Sequence, residues 1–181
     1  MLAGGQSRRM GTTKALIPIE GVTLLERAVG AVNQVADEVF VVGGDVAHPL
    51  AEHVADLHPG EGPLGGLLSG LARVRNEYLL LVSCDLPQLD PAVLGSMMDS
   101  LERSGADYVV PLVHGRRQWH CSAWHRRAMF ALESKFATGV RSFWEATTAM
   151  QECAMVFADP SPFIDLDTAE ELGDYLRLTR E

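Results

Sequence analysis

The sequence predicts an α/β fold, with a mostly parallel central sheet and helices on both faces. Three observations carry that prediction. Apolar, β-branched runs alternate with segments of helical spacing, which implies βαβ units. The 181 residues are 47% hydrophobic and 22% charged, ordinary for one domain that buries a core without disulfides. The segments richest in chemistry, residues 4–14, 84–87 and 163–168, each follow a predicted strand. In open α/β sheets, ligands bind beyond the carboxyl ends of the strands.

The elements follow in order. Thr23 with Glu26 three residues on forms a capping box and starts a helix. Residues 38–42 are a β-branched apolar run and read as a buried strand. Residues 64–74 read as a helix. Residues 78–83 are apolar on both faces and read as a second buried strand. Asp90 and Pro91 are a cap and first-turn pair for a helix ending near Gly105. Residues 108–113 and 119–124 read as strands around a turn at Gly115. One or two helices fill 126–149, and Thr168 with Glu171 caps a last one.

Charge narrows the function classes. The chain holds 15 Lys+Arg against 24 Asp+Glu, a formal charge of −9, which argues against binding nucleic-acid polymers. A small anion meets local charge instead. Residues 1–19 carry Arg8, Arg9 and Lys14 and no acid, and residues 108–132 carry Arg116, Arg117, Arg126 and Arg127 and no acid. Either island suits an anion or a solvated face. Cys84, Cys121 and Cys153 form no disulfide framework and no zinc pattern, so a reducing cytoplasm is expected. No membrane span or secretory leader is expected either.

The first loop is the most specific signal. In Leu2-Ala3-Gly4-Gly5-Gln6-Ser7-Arg8-Arg9-Met10-Gly11-Thr12-Thr13-Lys14, two glycines allow a sharp turn and close approach of a ligand. Free backbone N–H groups can donate to phosphate oxygens, while Arg8 and Lys14 neutralise their charge. The Walker A and dinucleotide spacings are absent. A tight turn with solvated basic residues is the blander reading.

That string resembles the opening signature of the MobA-like nucleotidyltransferases. The resemblance continues through Gly62-Pro63-Leu64-Gly65-Gly66, Cys84-Asp85-Leu86-Pro87 and Phe163-Ile164-Asp165-Leu166-Asp167-Thr168-Ala169-Glu170-Glu171-Leu172, in family order. It implies a three-layer Rossmann-like nucleotidyltransferase fold over residues 1–181, its N-terminal half binding the donor and its C-terminal half the acceptor. The Gly62–Gly66 string points to the guanylyl branch. There, GMP passes from GTP to the phosphate of molybdenum-bound molybdopterin, with Mg²⁺, and pyrophosphate leaves. Molybdoenzymes or other cofactor-pathway proteins would then be partners.

The resemblance also assigns residues. Arg8, Lys14 and Asp85 would be catalytic. Leu2, Ala3, Gly4, Gly5, Lys14, Asp56, Gly62, Pro63, Leu64 and Asp85 would bind the nucleotide, with Asp56 reading the guanine edge. Asp85 would hold magnesium, and Asp167 is a second carboxylate for metal or acceptor phosphate. Arg141 matches an acceptor-side position. An anionic phosphate attacks without a strong base, so no general-base histidine is expected. Gly43 stands where relatives often have Asn, and only Leu2 and Ala3 precede the glycines where relatives have a full strand of ~5–6 residues. Either the start lies upstream or the central strand is stunted. A related cytidylyltransferase, another NTP:phospho-acceptor enzyme, or a cofactor-delivery protein without catalysis are the alternatives.

Overall fold

The structure is a computed structural model that describes residues 1–3, 14–44 and 46–178. A short hairpin, β1 (Pro18–Ile19) and β2 (Val22–Thr23), leads into α1 (Leu24–Val32). The predicted capping box is present: Glu26 N donates to Thr23 Oγ1, and Thr23 N donates to Glu26 Oε2. Strand β3 (Phe40–Val42) and strand β4 (Glu52–Val54) pair in parallel. Helix α2 (Gly62–Arg73) has Pro63 in its first turn, and β5 (Tyr78–Val82) follows. Helix α3 (Pro91–Ser104) is capped by Asp90, whose Oδ1 accepts from Ala92 N, and it ends at Gly105 with φ +62°. Strands β6 (Tyr108–Val113) and β7 (Arg116–Arg117) flank the His114-Gly115 turn. Both turn residues have positive φ, as a two-residue hairpin loop requires. Strand β8 (Cys121–His125), helices α4 (Ala128–Ala137) and α5 (Phe143–Ala146), strand β9 (Glu152–Phe157) and helix α6 (Ala169–Leu178) complete the order.

Residues 1–3 join the sheet into one. Leu2 bridges in parallel to Val42 on one side and Ser83 on the other. Leu2 N donates to Val82 O at 2.8 Å, and Cys84 N donates to Leu2 O at 3.2 Å. The spatial order is therefore β4, β3, residues 1–3, β5, β8, β6, β9. Every pairing in it is parallel except those of β8, which runs against both β5 and β6. The mostly parallel sheet is as expected, with β8 and the short β7, which pairs antiparallel with β6, reversed. A cavity of about 180 Å³ lies between β3 and β5 beside Met1, walled mainly by apolar side chains such as Val32, Val39, Leu80 and Val82.

Period-two alternation sorts the sheet's side chains into two cores. Val41, Val82, Val109 and Ala123 pack with Leu25 and Val29 of α1 and Leu94, Met97 and Leu101 of α3. Phe40, Val42, Leu79, Leu81, Val110 and Trp124 pack on the other face with Leu64, Leu67, Leu68 and Leu71 of α2, Leu132 of α4 and Phe143 of α5. Helices thus cover both faces. A third, small cluster joins Ile19 and Leu24 to Leu166, with Leu172 and Tyr175 of α6 against it.

Strands β4 and β9 escaped the sequence pattern, as did the two-residue strands β1, β2 and β7. The three residues of β4 include Glu52 and His53, both exposed, so no apolar run marks it. Strand β9 is half-exposed along its length and is defined by its parallel pairing with β6 across residues 108–113. Among the described residues, no helix is long and apolar enough to cross a membrane.

Candidate active site

Three residues from distant parts of the chain meet at the carboxyl end of the sheet. Lys14 opens the 3-10 turn Lys14–Leu16, anchored by buried Ala15. Asp85 lies just past β5 with a side chain only 13% exposed, and Asp167 precedes α6 with a side chain 62% exposed. Lys14 Nζ donates to Asp85 Oδ2 at 3.0 Å and to Asp167 Oδ1 at 2.6 Å.

The surroundings hold this arrangement from both ends. Leu166 N donates to Asp85 O at 3.1 Å, while the Leu166 side chain is buried against Ile19 and Leu24. Glu171 Oε2 accepts from the backbone N–H groups of Asp167 and Thr168, and Glu171 N donates to Thr168 Oγ1. The second predicted capping box therefore also fixes the backbone of Asp167.

Electrostatics favours keeping Lys14 charged. Burial alone would lower the Lys14 pKa, but hydrogen bonds to Asp167 and Asp85 and their charges outweigh it and raise the pKa above the ordinary lysine value. Burial, then the charge of Asp167 and to a lesser degree Asp85, raises the carboxyl pKa of Asp165. Burial, aided by the Asp85 charge, pushes the Cys84 thiol up to about 12, so it stays protonated and is no nucleophile at neutral pH.

Asp85 Oδ1 is buried and has no hydrogen-bond partner among the described residues. Leaving a buried charged oxygen unmatched costs on the order of 1–3 kcal/mol or more, so such an atom calls for a ligand. No cluster of three or more His, Cys, Asp or Glu among the described residues could hold a metal by itself. Magnesium does not need one. It commonly takes one or two carboxylates and completes its shell with phosphate oxygens and water. The orphaned oxygen of Asp85, with Asp167 nearby, fits that donor set.

The other predicted residues distribute as follows. Leu2 and Ala3 form the central strand, and Gly43 follows β3 beside them, its N–H donating to Val54 O. Gly4, Gly5 and Arg8 lie outside the described residues. Asp56 Oδ1 accepts from His58 N and from buried Ser69 Oγ, both at 2.9 Å, so that oxygen shapes the loop ahead of α2. Leu64 is fully buried in the core, which leaves only its backbone for a ligand. A Cβ on Gly66 would stand 2.6 Å from Leu2 Cδ2, and one on Gly65 would stand 2.9 Å from His58 Cβ. Those glycines let α2 approach the central strand and its own entry loop.

Arg141 is not brought to Lys14, Asp85 and Asp167 by any contact among the described residues. Its guanidinium pairs with Glu61 at the start of α2, donates to Phe136 O and Val140 O, and stacks over Phe136. The second basic island is also less free than its sequence suggests. Arg117 pairs with Glu152 and Arg127 with Asp107, acids contributed by other segments.

Sequence reasoning gave no role to Trp119 or His120. The structure sets both around a cavity of about 250 Å³ with Leu86, Phe143, Phe163 and Asp165. Leu86 is the neighbour of Asp85, so this cavity opens beside the acidic cluster. No local pattern could have signalled it, because its walls come from five separate elements and loops.

Residues 1–153 match the sequence pattern of the MobA-like NTP transferase domain. The chain belongs to the MobA-like NTP transferase family. This transferase is 33% identical over 185 residues to the probable molybdenum cofactor guanylyltransferase of a Nostoc species, covering 96% of this chain and 87% of the relative. It is 34% identical over 172 residues to the protein of that name from Chloroflexus aggregans, covering 90% and 79%. Its fold superposes with a TM-score of 0.85 on molybdopterin-guanine dinucleotide biosynthesis protein A from Archaeoglobus fulgidus, at 20% identity over 99% of this chain and 96% of that one. It also superposes, at 0.75, on 2-C-methyl-D-erythritol 4-phosphate cytidylyltransferase from Thermus thermophilus, at 15% identity over 99% and 97%. The transferase is an α/β nucleotidyltransferase in fold and class.

Proposed function

We propose that this transferase moves GMP from GTP to the phosphate of molybdenum-bound molybdopterin, releasing pyrophosphate. The observation that carries the reading is the Lys14–Asp85–Asp167 cluster with its orphaned Asp85 oxygen. The names of its relatives supply the guanylyl donor and the cofactor acceptor.

An acceptor phosphate oxygen attacks the α-phosphorus of GTP in line, and the bond to the pyrophosphate oxygen breaks. The attacker is already an anion, so the step needs positioning and charge neutralisation rather than a base. Lys14 supplies a fixed positive charge toward the phosphates. Asp85 and Asp167 would hold Mg²⁺, which when bound neutralises phosphate charge and orients the oxygens. Arg8, Gly4 and Gly5 would cradle the triphosphate. Residues 1–3, Asp56 and the start of α2 at Gly62, Pro63 and Leu64 would line the donor side. Arg141 could meet an acceptor phosphate only by exchanging it for Glu61. In this reading, residues 1–181 act as one domain with the donor on the N-terminal half and the acceptor on the C-terminal half, in the cytoplasm, handing product to other cofactor-pathway proteins.

The test is pyrophosphate release with each of the four NTPs, Mg²⁺ and molybdenum-loaded molybdopterin. GTP alone should support acceptor-dependent release. Preference for CTP would move the enzyme to the cytidylyl branch, and no release with any NTP would make it a binding protein.

A further inference from the structure

We propose that the cavity beside Asp85 takes the ring of the acceptor, a bicyclic heteroaromatic such as a pterin, stacked on Trp119. This rests on the reaction proposed above and names the residue that would recognise its acceptor. Trp119 is the half-exposed outer member of a cluster of rings that are otherwise buried: Tyr108, Trp124 and Phe143. Phe143 lies nearly parallel to it, with centroids 5.3 Å apart at 12°, and Trp124 stands behind at 6.5 Å and 26°. Tyr108 and Trp124 stack at 5.0 Å and 22°. Such backing holds the indole in one orientation before any ligand arrives, which lowers the ordering cost of binding.

The chain around Trp119 is fixed as well. Arg117 donates through Nε and Nη2 to Glu152, both at 2.8 Å, and Tyr108 Oη donates to the same carboxylate. Trp119 O accepts from Ser122 Oγ, which in turn accepts from Trp124 Nε1. The cavity presents an apolar floor of Leu86, Phe143 and Phe163. His120 and Asp165 stand at its polar edge, where a carboxylate can accept from ring N–H groups. Arg117 and Gln118 also line the cavity, and an aromatic wall over an apolar floor with hydrogen-bonding groups around it suits a flat heterocycle. At about 250 Å³ the cavity falls below the ~300–1,000 Å³ of sites that engulf a whole drug-sized ligand. It suits the ring alone, leaving the attached phosphate outside toward Asp85.

Equilibrium dialysis with 6-hydroxymethylpterin, read by the pterin's own fluorescence, tests this. Wild type should bind it, and Trp119→Ala should bind about 5- to 150-fold more weakly, the range for losing one aromatic stacking partner. Trp119→Phe, which keeps a ring, should stay within about threefold of wild type, and so should Trp144→Ala, which removes an exposed indole outside the cavity. GTP affinity should be unchanged in all three, which also reports that each is folded. Equal pterin binding by wild type and Trp119→Ala, or no binding by wild type, would overturn the proposal. The reaction itself is judged separately, by acceptor-dependent pyrophosphate release in wild type. Pterin binding that depends on Trp119, without such release, would sink the reaction and spare the pocket.

Discussion

Lys14 contacts two carboxylates that stand 71 and 153 residues away in the chain. Removing its charge leaves Asp85 and Asp167 facing the incoming triphosphate unscreened. Lys14→Ala should therefore lower kcat/KM for GTP by about a hundredfold or more, the size typical of losing one preorganised charge-stabilising group. An unchanged kcat/KM would remove Lys14 from the site. Glu152 makes a different residue-scale case. Hydrogen bonds from Arg117, and then from Tyr108, hold its carboxyl pKa below the usual value even though burial opposes them. A depressed carboxylate contributes stability above its unfolded pKa, near 4.3, and loses it as pH falls through the folded value. Glu152→Gln should cost about 1.5–3 kcal/mol at pH 7 and flatten the acid limb of stability against pH, as read by urea unfolding between pH 3 and 7. Lys14 and Asp85 were legible in the sequence because each sits in a short, spaced motif. Trp119 was not, because its meaning depends on Phe143 and Asp165, which only the fold brings near.

Helix α2 shows how an element turns small residues into placement. Gly65 lies against His58, with a virtual Cβ 2.9 Å from His58 Cβ and 3.3 Å from its carbonyl oxygen. Alanine would gain roughly 0.5–1 kcal/mol of helix propensity but overpack this contact by roughly 1–3 kcal/mol. The overpacking wins, and the loop carrying Asp56 must shift. Gly65→Ala should lower Tm and raise KM for GTP while leaving the acceptor KM in place. A stabilised variant with wild-type KM would show that the loop yields freely. The resemblance tied the glycines of the Gly62–Gly66 string to the guanylyl branch. The structure shows that they first let α2 approach the central strand and its own entry loop. Both capping boxes, at Thr23 and Thr168, were readable as local hydrogen-bond chemistry. Strands β4 and β9 were not, because their partners, rather than their apolar patterns, make them strands.

On the scale of the whole molecule, the sheet is what converts scattered motifs into one site. Residues 1–3 lie between β3 and β5, so Ala3 and residues 43–44 and 84–87 share one edge of the sheet. The segment from β9 to α6 returns Asp167 to that edge through Leu166. The α/β class was readable from alternation, whereas the reversal of β8 was not, since strand direction is a property of the assembled sheet. The charge of −9 was a poor guide to ligands, and its map was better, though incomplete. The arginines of the second island find acids in space that they lack in sequence. Two of the acids in that negative total, Asp85 and Asp167, sit where they would bind an anion through a cation.

The most direct test of that last claim is Mg²⁺-dependent, acceptor-dependent pyrophosphate release from GTP by Asp85→Asn beside wild type. The substitution keeps the shape of the side chain and removes the charge of the orphaned oxygen. The rate should fall by about a hundredfold to a thousandfold while the protein stays folded. A folded Asp85→Asn enzyme with the wild-type rate and the same Mg²⁺ requirement would contradict the account.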